Sequence, residues 1–232
     1  MGAAATRYFE DIFTAESNLD SSPIIDLIAP LVGEETNDIL CGEFTEKEIS
    51  DSLFQMGPLK APGKDGFPAR FFQRNWLVMK AEIVKVVQEF FQTRCMPEGV
   101  NETVIVHIPK VDDPVRLTDF RPISLCNVIY KIISKTLANR LKPHLPDYID
   151  HSQQAFIEGR RISDNIIIAQ DIAHSFSLKS WKHSAFMLKI DLAKAFDRLE
   201  WNFIVSALAR KGLHGHFINL IHACVSSPTF SV

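Results

Sequence analysis

Apolar residues return every three or four positions along much of the chain, which predicts amphipathic helices, while two short stretches read as strands. Thr45 and Glu48 form a capping-box pair, and Ile49, Leu53 and Phe54 follow on one face, so a helix is expected from Thr45 to the break at Gly57-Pro58. Met79, Ile83, Val86, Val87, Phe90 and Phe91 predict a long helix over 75–94, closed by Pro97 and Gly99. A further helix spans 128–142, with Ile129, Ile132, Ile133, Leu137 and Leu141 on its apolar side and Pro143 and Pro146 ending it. Ser163 is a suitable N-cap for a helix running toward Ser177, with Asp164 favourable in its first turn. Helices over 199–211, ended by Gly212, and over about 216–225 complete the set. The β-branched run at 103–108 predicts a strand stopped by Pro109-Lys110. Residues 185–190 alternate, with Ala185, Met187 and Lys189 opposed to Phe186, Leu188 and Ile190, which puts Asp191 at the end of a second strand.

Residues 1–44 read as short helices and loops, and 111–120 as a charged loop. Leu59 to Pro68 carries two Pro and two Gly among Lys60, Lys64 and Asp65, which is loop chemistry; it lacks the Gly-Lys-Ser/Thr element of a phosphate-binding P-loop. Helices mixed with few strands argue for an α/β or α+β body, and α+β is the class expected.

Composition narrows the reading. With 232 residues, 46% hydrophobic and 23% charged, the chain can bury a sizeable core, and collagen-like or disulfide-rich classes are excluded. No apolar run approaches the roughly 20 residues needed to cross a bilayer, so no membrane partner is expected. Cys41, Cys95, Cys126 and Cys224 are scattered without a C-x-x-C pair, which argues against a zinc site or a disulfide framework. The net charge of −3 hides a division: residues 1–57 hold 12 acidic and 2 basic side chains, residues 58–232 hold 16 and 23. A basic body suits an anionic partner and suits a solvated surface equally well.

The stretch from Leu188 to Asp197 carries the most chemistry. An ionised Asp fixed at a strand end, with a loop beyond it, suits a hard divalent cation. Asp197 suits capping the next helix. Lys189-Ile190-Asp191-x-x-Lys194-Ala195-Phe196-Asp197 resembles the first palm motif of the reverse transcriptases of non-LTR retrotransposons. Phe120-Arg121-Pro122-Ile123-Ser124-Leu125-Cys126-Asn127, followed by Lys131-Ile132 and Lys135-x-Leu137-x-x-Arg140-Leu141, resembles the fingers motif of that family. Gln153-Gln154-Ala155-Phe156-Ile157-x-Gly159-Arg160-x-Ile162-x-Asp164-Asn165-Ile166 resembles the motif that follows. Lys60-Ala61-Pro62-Gly63-x-Asp65-Gly66 and Phe71-Phe72-Gln73 resemble the segment before the fingers in plant LINE-type elements. The motifs occur in the family's order and cover roughly residues 40 to 232.

The resemblance implies reverse-transcriptase fingers and the start of a palm, preceded by an acidic helical extension. The expected divisions are 1–57 for that extension, 58–100 for a linker loop and long helix, and 101–232 for the polymerase part, with fingers over 101–183 and palm over 184–232. It implies an RNA-directed DNA polymerase that takes an RNA template, a DNA primer and dNTP, with no obligate protein partner evident and a nuclear location. Such an enzyme uses two Mg²⁺ ions to join a primer 3′-OH to a nucleotide α-phosphate. Asp191 would then be a catalytic metal-binding carboxylate and the Leu192 carbonyl a secondary ligand. Phe196 would be the steric gate against a ribose 2′-OH; read on residue chemistry alone it is a core aromatic. Arg121 would grip the incoming triphosphate with its fork of donors. Lys110 is either its companion or a solvated loop lysine. Arg160 and Arg161 are candidates for template or nucleotide phosphate. Lys131, Lys135, Arg140 and Lys142 read as a solvated helix face, with an RNA backbone track as the other reading.

Two departures matter. The family's second acidic motif, an aromatic residue, any residue, then Asp-Asp, does not follow Asp191; the one Asp-Asp pair, Asp112-Asp113, lies upstream of it. Lys64 stands where the family often has Pro, a harmless loop change. A truncated palm with one carboxylate is expected not to polymerise by itself. The alternatives are a non-catalytic RNA-binding remnant and a pseudogene fragment. His214-x-His216 lacks a third ligand and reads as loop residues rather than a zinc site.

Overall fold

In the computed structural model, which describes residues 2–14, 20–177, 186–192 and 194–232, the chain is α+β. The described helices are α1 (Gly2–Phe13), α2 (Ser22–Ile25), α3 (Glu34–Cys41), α4 (Glu46–Phe54), α5 (Ala69–Arg74), α6 (Trp76–Thr93), α7 (Val128–Leu141), α8 (Leu145–Tyr148), α9 (Ile162–Ser177), α10 (Trp201–Lys211) and α11 (Gly215–Ser226). The strands are β1 (Glu102–Pro109), β2 (Phe120–Cys126) and β3 (Thr229–Ser231), in the sheet order β2-β1-β3.

Local chemistry explains most boundaries. The α4 capping box is present as the sequence predicts: the Thr45 hydroxyl accepts the Glu48 N–H while the Glu48 carboxylate accepts the Thr45 N–H at 2.9 Å. Gln73 donates from Nε2 to the Leu53 and Met56 carbonyls, both at 3.0 Å, and so satisfies acceptors at the C-terminal end of α4. Gly212 ends α10 in the left-handed region at φ 98°, a conformation that favours glycine.

The helical stripes meet in one core. Leu40, Ile49 and Leu53 enter it from α3 and α4, Ile83, Val87, Phe90 and Phe91 from α6, Ile132, Ile133 and Leu137 from α7, and Phe217, Ile218 and Leu220 from α11. Phe54, expected on the buried face of α4, is exposed and meets Trp76 edge-on at 6.1 Å. Its place is taken by Ser52, fully buried, whose hydroxyl accepts bonds from Thr136 at 3.0 Å and Asn139 at 3.1 Å. The acidic leader is tied to the far end of the chain: Asn37 donates to the Gly212 carbonyl at 2.8 Å and accepts the His214 N–H at 2.7 Å.

The helix expected over 75–94 is present as α6, and α5, a short helix not anticipated in the sequence, precedes it and is capped at Asn75. Three features differ from expectation. β2 is a strand despite Pro122; it lies at the sheet edge, where a missing N–H costs least, and pairs antiparallel with β1, Pro122 opposite His107. Ser163 lies inside the first turn of α9 rather than capping it. The predicted strand at 185–190 does not form over 186–190, which have no regular secondary structure. Alternation marks a strand only when a neighbour supplies the ladder, and β1, instead, takes β3 as its second partner, in parallel register Thr103 to Phe230. Ala185 and Ala193 lie outside the described residues.

One face of the sheet is covered by α1, where Phe9 is buried and its ring lies 5.5 Å from that of His107. On the opposite face Val106, Ile108 and Ile123 remain exposed. Among the described residues no helix is long and apolar enough to cross a membrane.

Candidate functional site

The loop from Lys60 to Gly66 docks on the junction between β2 and α7. Asn127, buried at the N-cap of α7, organises this junction. Its side-chain carbonyl accepts the Asp65 N–H at 3.2 Å, and its amide donates to the Gly99 carbonyl at 2.9 Å. Gly63 passes so close that a Cβ placed there would lie 2.2 Å from Asn127 Oδ1. Lys64 pairs with Glu102 at 2.5 Å and Lys131 donates to the Ala61 carbonyl at 3.3 Å, which attaches the loop to β1 and α7. The Pro- and Gly-rich motif is thus a packed brace beneath the hairpin rather than a phosphate cradle.

The β1–β2 hairpin brings Lys110 and Arg121 to one end. Pro109 pairs with Phe120 and Ile108 with Arg121, and Lys110 follows at once. Arg121 is exposed. The Lys110 ammonium folds back onto the Thr118 carbonyl at 2.8 Å, and its N–H donates to the Asp119 carbonyl at 2.8 Å. Asp119 accepts the N–H groups of Arg116 and Val115, at 2.8 and 3.1 Å, and these hold its carboxyl below the usual range.

Of the arginines proposed for phosphate, Arg140 corrects the expectation of a solvated helix face. Its side chain is 8% exposed, its Nε lies 2.5 Å from Glu48, and it donates to the carbonyls of Leu40, Gly42 and Glu43. Its guanidinium also stacks over Phe44 at 3.6 Å, and Phe44 stacks on Phe91 at 3.7 Å. Burial works against ionisation of Glu48, yet the bonds from Arg140 and Thr45 prevail and hold its pKa at about 2. Arg160 likewise turns inward, donating to the carbonyls of Pro146, Ile149, Asp150 and Gln153 over 2.5–2.9 Å. Arg161 is exposed, and Lys135 is half-buried.

Asp191 and Leu192 stand exposed on the irregular stretch 186–192. Lys194 donates to the Tyr8 hydroxyl at 2.7 Å and lies 4.2 Å above the same ring, which ties the motif to α1. Phe196, 83% exposed, is not the core aromatic that residue chemistry alone favours; its ring meets Phe156, also 83% exposed, edge-on at 6.2 Å. Phe156 belongs to the Gln153–Ile166 motif, and only its φ of 64° and its exposure mark it out, neither of which is visible in sequence.

Mg²⁺ demands several oxygen donors at one point. Among the described residues no three His, Cys, Asp or Glu side chains converge, so the described donor set does not by itself fit a Mg²⁺ cage. Two surface hollows of about 530 and 200 Å³ lie along α6 and include none of the motif residues. His214 caps α11, its Nδ1 accepting the His216 N–H at 3.1 Å.

Residues 108–231 match the family described as reverse transcriptase (RNA-dependent DNA polymerase), a stretch that holds the motif residues from Lys110 onward. The chain is 30% identical over 198 residues to the transposon TX1 uncharacterized 149 kDa protein of Xenopus laevis, covering 85% of this chain and 15% of that protein. It is 25% identical over 177 residues to the retrovirus-related Pol polyprotein from type-2 retrotransposable element R2DM of Drosophila melanogaster, covering 76% of this chain and 16% of the relative. A similar protein from type-1 retrotransposable element R2 of Nasonia vitripennis is 31% identical over 117 residues, half of this chain and 11% of its own length. The chain therefore spans about one sixth or less of each of these relatives.

Proposed function

The chain belongs to the reverse transcriptase family of RNA-dependent DNA polymerases, and from that membership we propose that it forms the fingers (101–183) and leading palm (184–232) of a non-LTR retrotransposon polymerase of plant LINE type, preceded by the acidic segment 1–57 and the linker 58–100. The observation that carries this reading is the position of Lys189–Asp197, a palm-like motif, inside the matched stretch and after the fingers-like motif in family order. The substrates are an RNA template, a DNA primer and dNTP. Arg121, exposed at the hairpin end, binds the triphosphate, with Lys110 just past the last pair of the hairpin register. Asp191 supplies one carboxylate, with the Leu192 carbonyl beside it, and Phe196 presents its ring to the sugar of the incoming nucleotide. Asp191 and the Leu192 carbonyl would be this chain's donors to Mg²⁺, a cation that would supply charge neutralisation at the phosphates.

We further propose that the polypeptide of these 232 residues does not polymerise, because it carries no aromatic-x-Asp-Asp sequence after Asp191. The second reading, an RNA-binding chain without chemistry, is favoured by the exposed position of Asp191 away from any described cluster of ligands. Primer extension on an RNA template with Mg²⁺ tests both: no incorporation is expected, and template-dependent incorporation lost in Asp191→Ala would overturn the inactivity. Filter binding of RNA at rising salt is expected to show a steep loss of affinity; no binding at low salt would remove the nucleic-acid reading altogether.

A further inference from the structure

Helix α1 is attached to the molecule differently from the rest of the acidic leader. Residues 31–44 are tied in by backbone bonds from Leu31 and Val32 to the Lys211 carbonyl and by Leu40 and Phe44 in the core. α1 rests on the sheet through side chains: Ala5 and Phe9 are buried, the Phe9 ring lies against His107, and the Phe13 ring meets Phe230 at 5.2 Å. The helix contributes little stability of its own. Twelve residues are near the lower limit for a helix in water. Its first turn carries no acid and its last turn no base, while Glu10 and Asp11 stand toward the end where the macrodipole disfavours negative charge. His107, the ring beneath Phe9, has its Nε2 buried without a hydrogen-bond partner, a cost that lifting the helix relieves by admitting water. α1 is therefore docked by a narrow margin.

The remaining contact of α1 is with the palm-like motif. Lys194 donates to the Tyr8 hydroxyl at 2.7 Å, and its ammonium lies 4.2 Å above the Tyr8 ring. Lys194 follows Asp191 by three residues and precedes Phe196 by two, the pair read above as metal donor and nucleotide contact. A phosphate oxygen is the stronger partner for this ammonium, because a charge-assisted bond exceeds one to a neutral phenol and a ring face. Asp11, three residues from Tyr8 and so its neighbour on the helix surface, adds a negative charge that repels phosphate. We propose that α1 is an autoinhibitory cover of the nucleotide site. Docked, its Tyr8 withholds Lys194 from the phosphates of the nucleotide; lifted, it releases Lys194, and the bound nucleotide holds the open form. This rests on the nucleotide reading above and adds to it the regulation of that site. The coupling is reciprocal: whatever lifts α1 tightens phosphate binding, and phosphate binding lifts α1.

The test pairs amide hydrogen exchange over residues 4–13 with calorimetric titration of dTTP in the presence of Mg²⁺, on the full chain. Phe9→Ser is expected to remove the protection of α1 while the amides of α7 stay protected, which shows that the core persists. The same variant should bind dTTP about 5- to 50-fold more tightly than the wild type, a factor set by the inverse of the wild type's open fraction. Adding Lys194→Ala to Phe9→Ser should cancel that gain. Tyr8→Phe, which keeps the ring and drops the hydroxyl, should give a smaller gain in the same direction. Saturating dTTP should speed exchange over α1 in the wild type. An α1 freed by Phe9→Ser with dTTP affinity unchanged, or with a gain that survives Lys194→Ala, would overturn the cover and leave the nucleotide reading intact. Protection of α1 undiminished in Phe9→Ser would also overturn the cover, since the helix would not be docked through that side chain. Failure of both the wild type and Phe9→Ser to bind dTTP would overturn the nucleotide reading and the cover with it.

Discussion

Arg140 and Glu48 meet at 2.5 Å across 92 residues of sequence, and the pair joins the acidic leader to the helix that follows the β-hairpin. The pair is half sunk in the core, with Phe44 beneath the guanidinium and three backbone carbonyls around it. Removing one partner leaves the other charge poorly solvated. Arg140→Ala is therefore expected to lower the unfolding free energy by about 2–4 kcal/mol, read from urea denaturation at pH 7.

The same pair gives a pH dependence whose sign is fixed. Glu48 has a folded pKa of about 2, below its ordinary value of 4.5. Its contribution is present in full above the ordinary value and is lost as pH falls from there through the folded one. Urea midpoints measured between pH 6 and pH 2 should show an acid-labile component that is absent in Glu48→Gln. Identical pH profiles for the two proteins would show that Glu48 is not held ionised.

Gly63 tests the brace beneath the hairpin. An added Cβ would overlap Asn127 Oδ1 and the backbone at Cys126 and Asn127, so Gly63→Ala must push the loop away from the start of α7. A loss of about 1–3 kcal/mol is expected. Gly66→Ala is a different case: nothing lies near its Cβ, and the cost there comes from φ 74° alone. Thermal unfolding of the two variants should separate overlap from backbone strain, with Asn127→Ala partly relieving only the first.

Arg121 and Arg160 should part company. Arg160 holds four carbonyls, and Arg160→Ala is expected to cost about 1–3 kcal/mol of stability. Arg121 is exposed on an edge strand, so Arg121→Ala should shift stability by no more than about 0.5 kcal/mol while weakening nucleotide and RNA binding. A stability loss in Arg121→Ala equal to that in Arg160→Ala would assign both to the fold.

Cysteine reactivity gives an independent check on burial. Cys95 is exposed, whereas burial pushes the Cys224 thiol up to about 12. An aromatic disulfide reagent at pH 8 should modify Cys95 in a fast phase that Cys95→Ser removes, and reach Cys224 only in denaturant.

Much of the fold was legible because it is written locally. The Thr45–Glu48 box, the α6 and α7 stripes and the Gly212 stop each depend on residues within a few turns of one another. What was hidden depends on distant partners. β2 carries Pro122 and reads poorly as a strand until its edge position is known. Residues 186–190 alternate well, yet no described strand pairs with them. Arg140 sits off the apolar stripe of its helix and reads as solvated, because Glu48 and Phe44 lie some ninety positions earlier. At the candidate site the motifs name candidate residues, while the outward turn of Phe156 is set by its backbone angle, which the sequence does not display.

The bonds from Leu31 and Val32 to the Lys211 carbonyl, and from Asn37 to the turn after it, have a practical consequence. The acidic leader cannot be trimmed away as a dispensable tail: a polypeptide started at residue 45 would strip Leu40 and Phe44 from the shared interior and uncover Phe217 and Phe91. Any minimal version cut for crystallisation or assay needs to carry residues 31–44 with it, or it will clump before its chemistry can be measured.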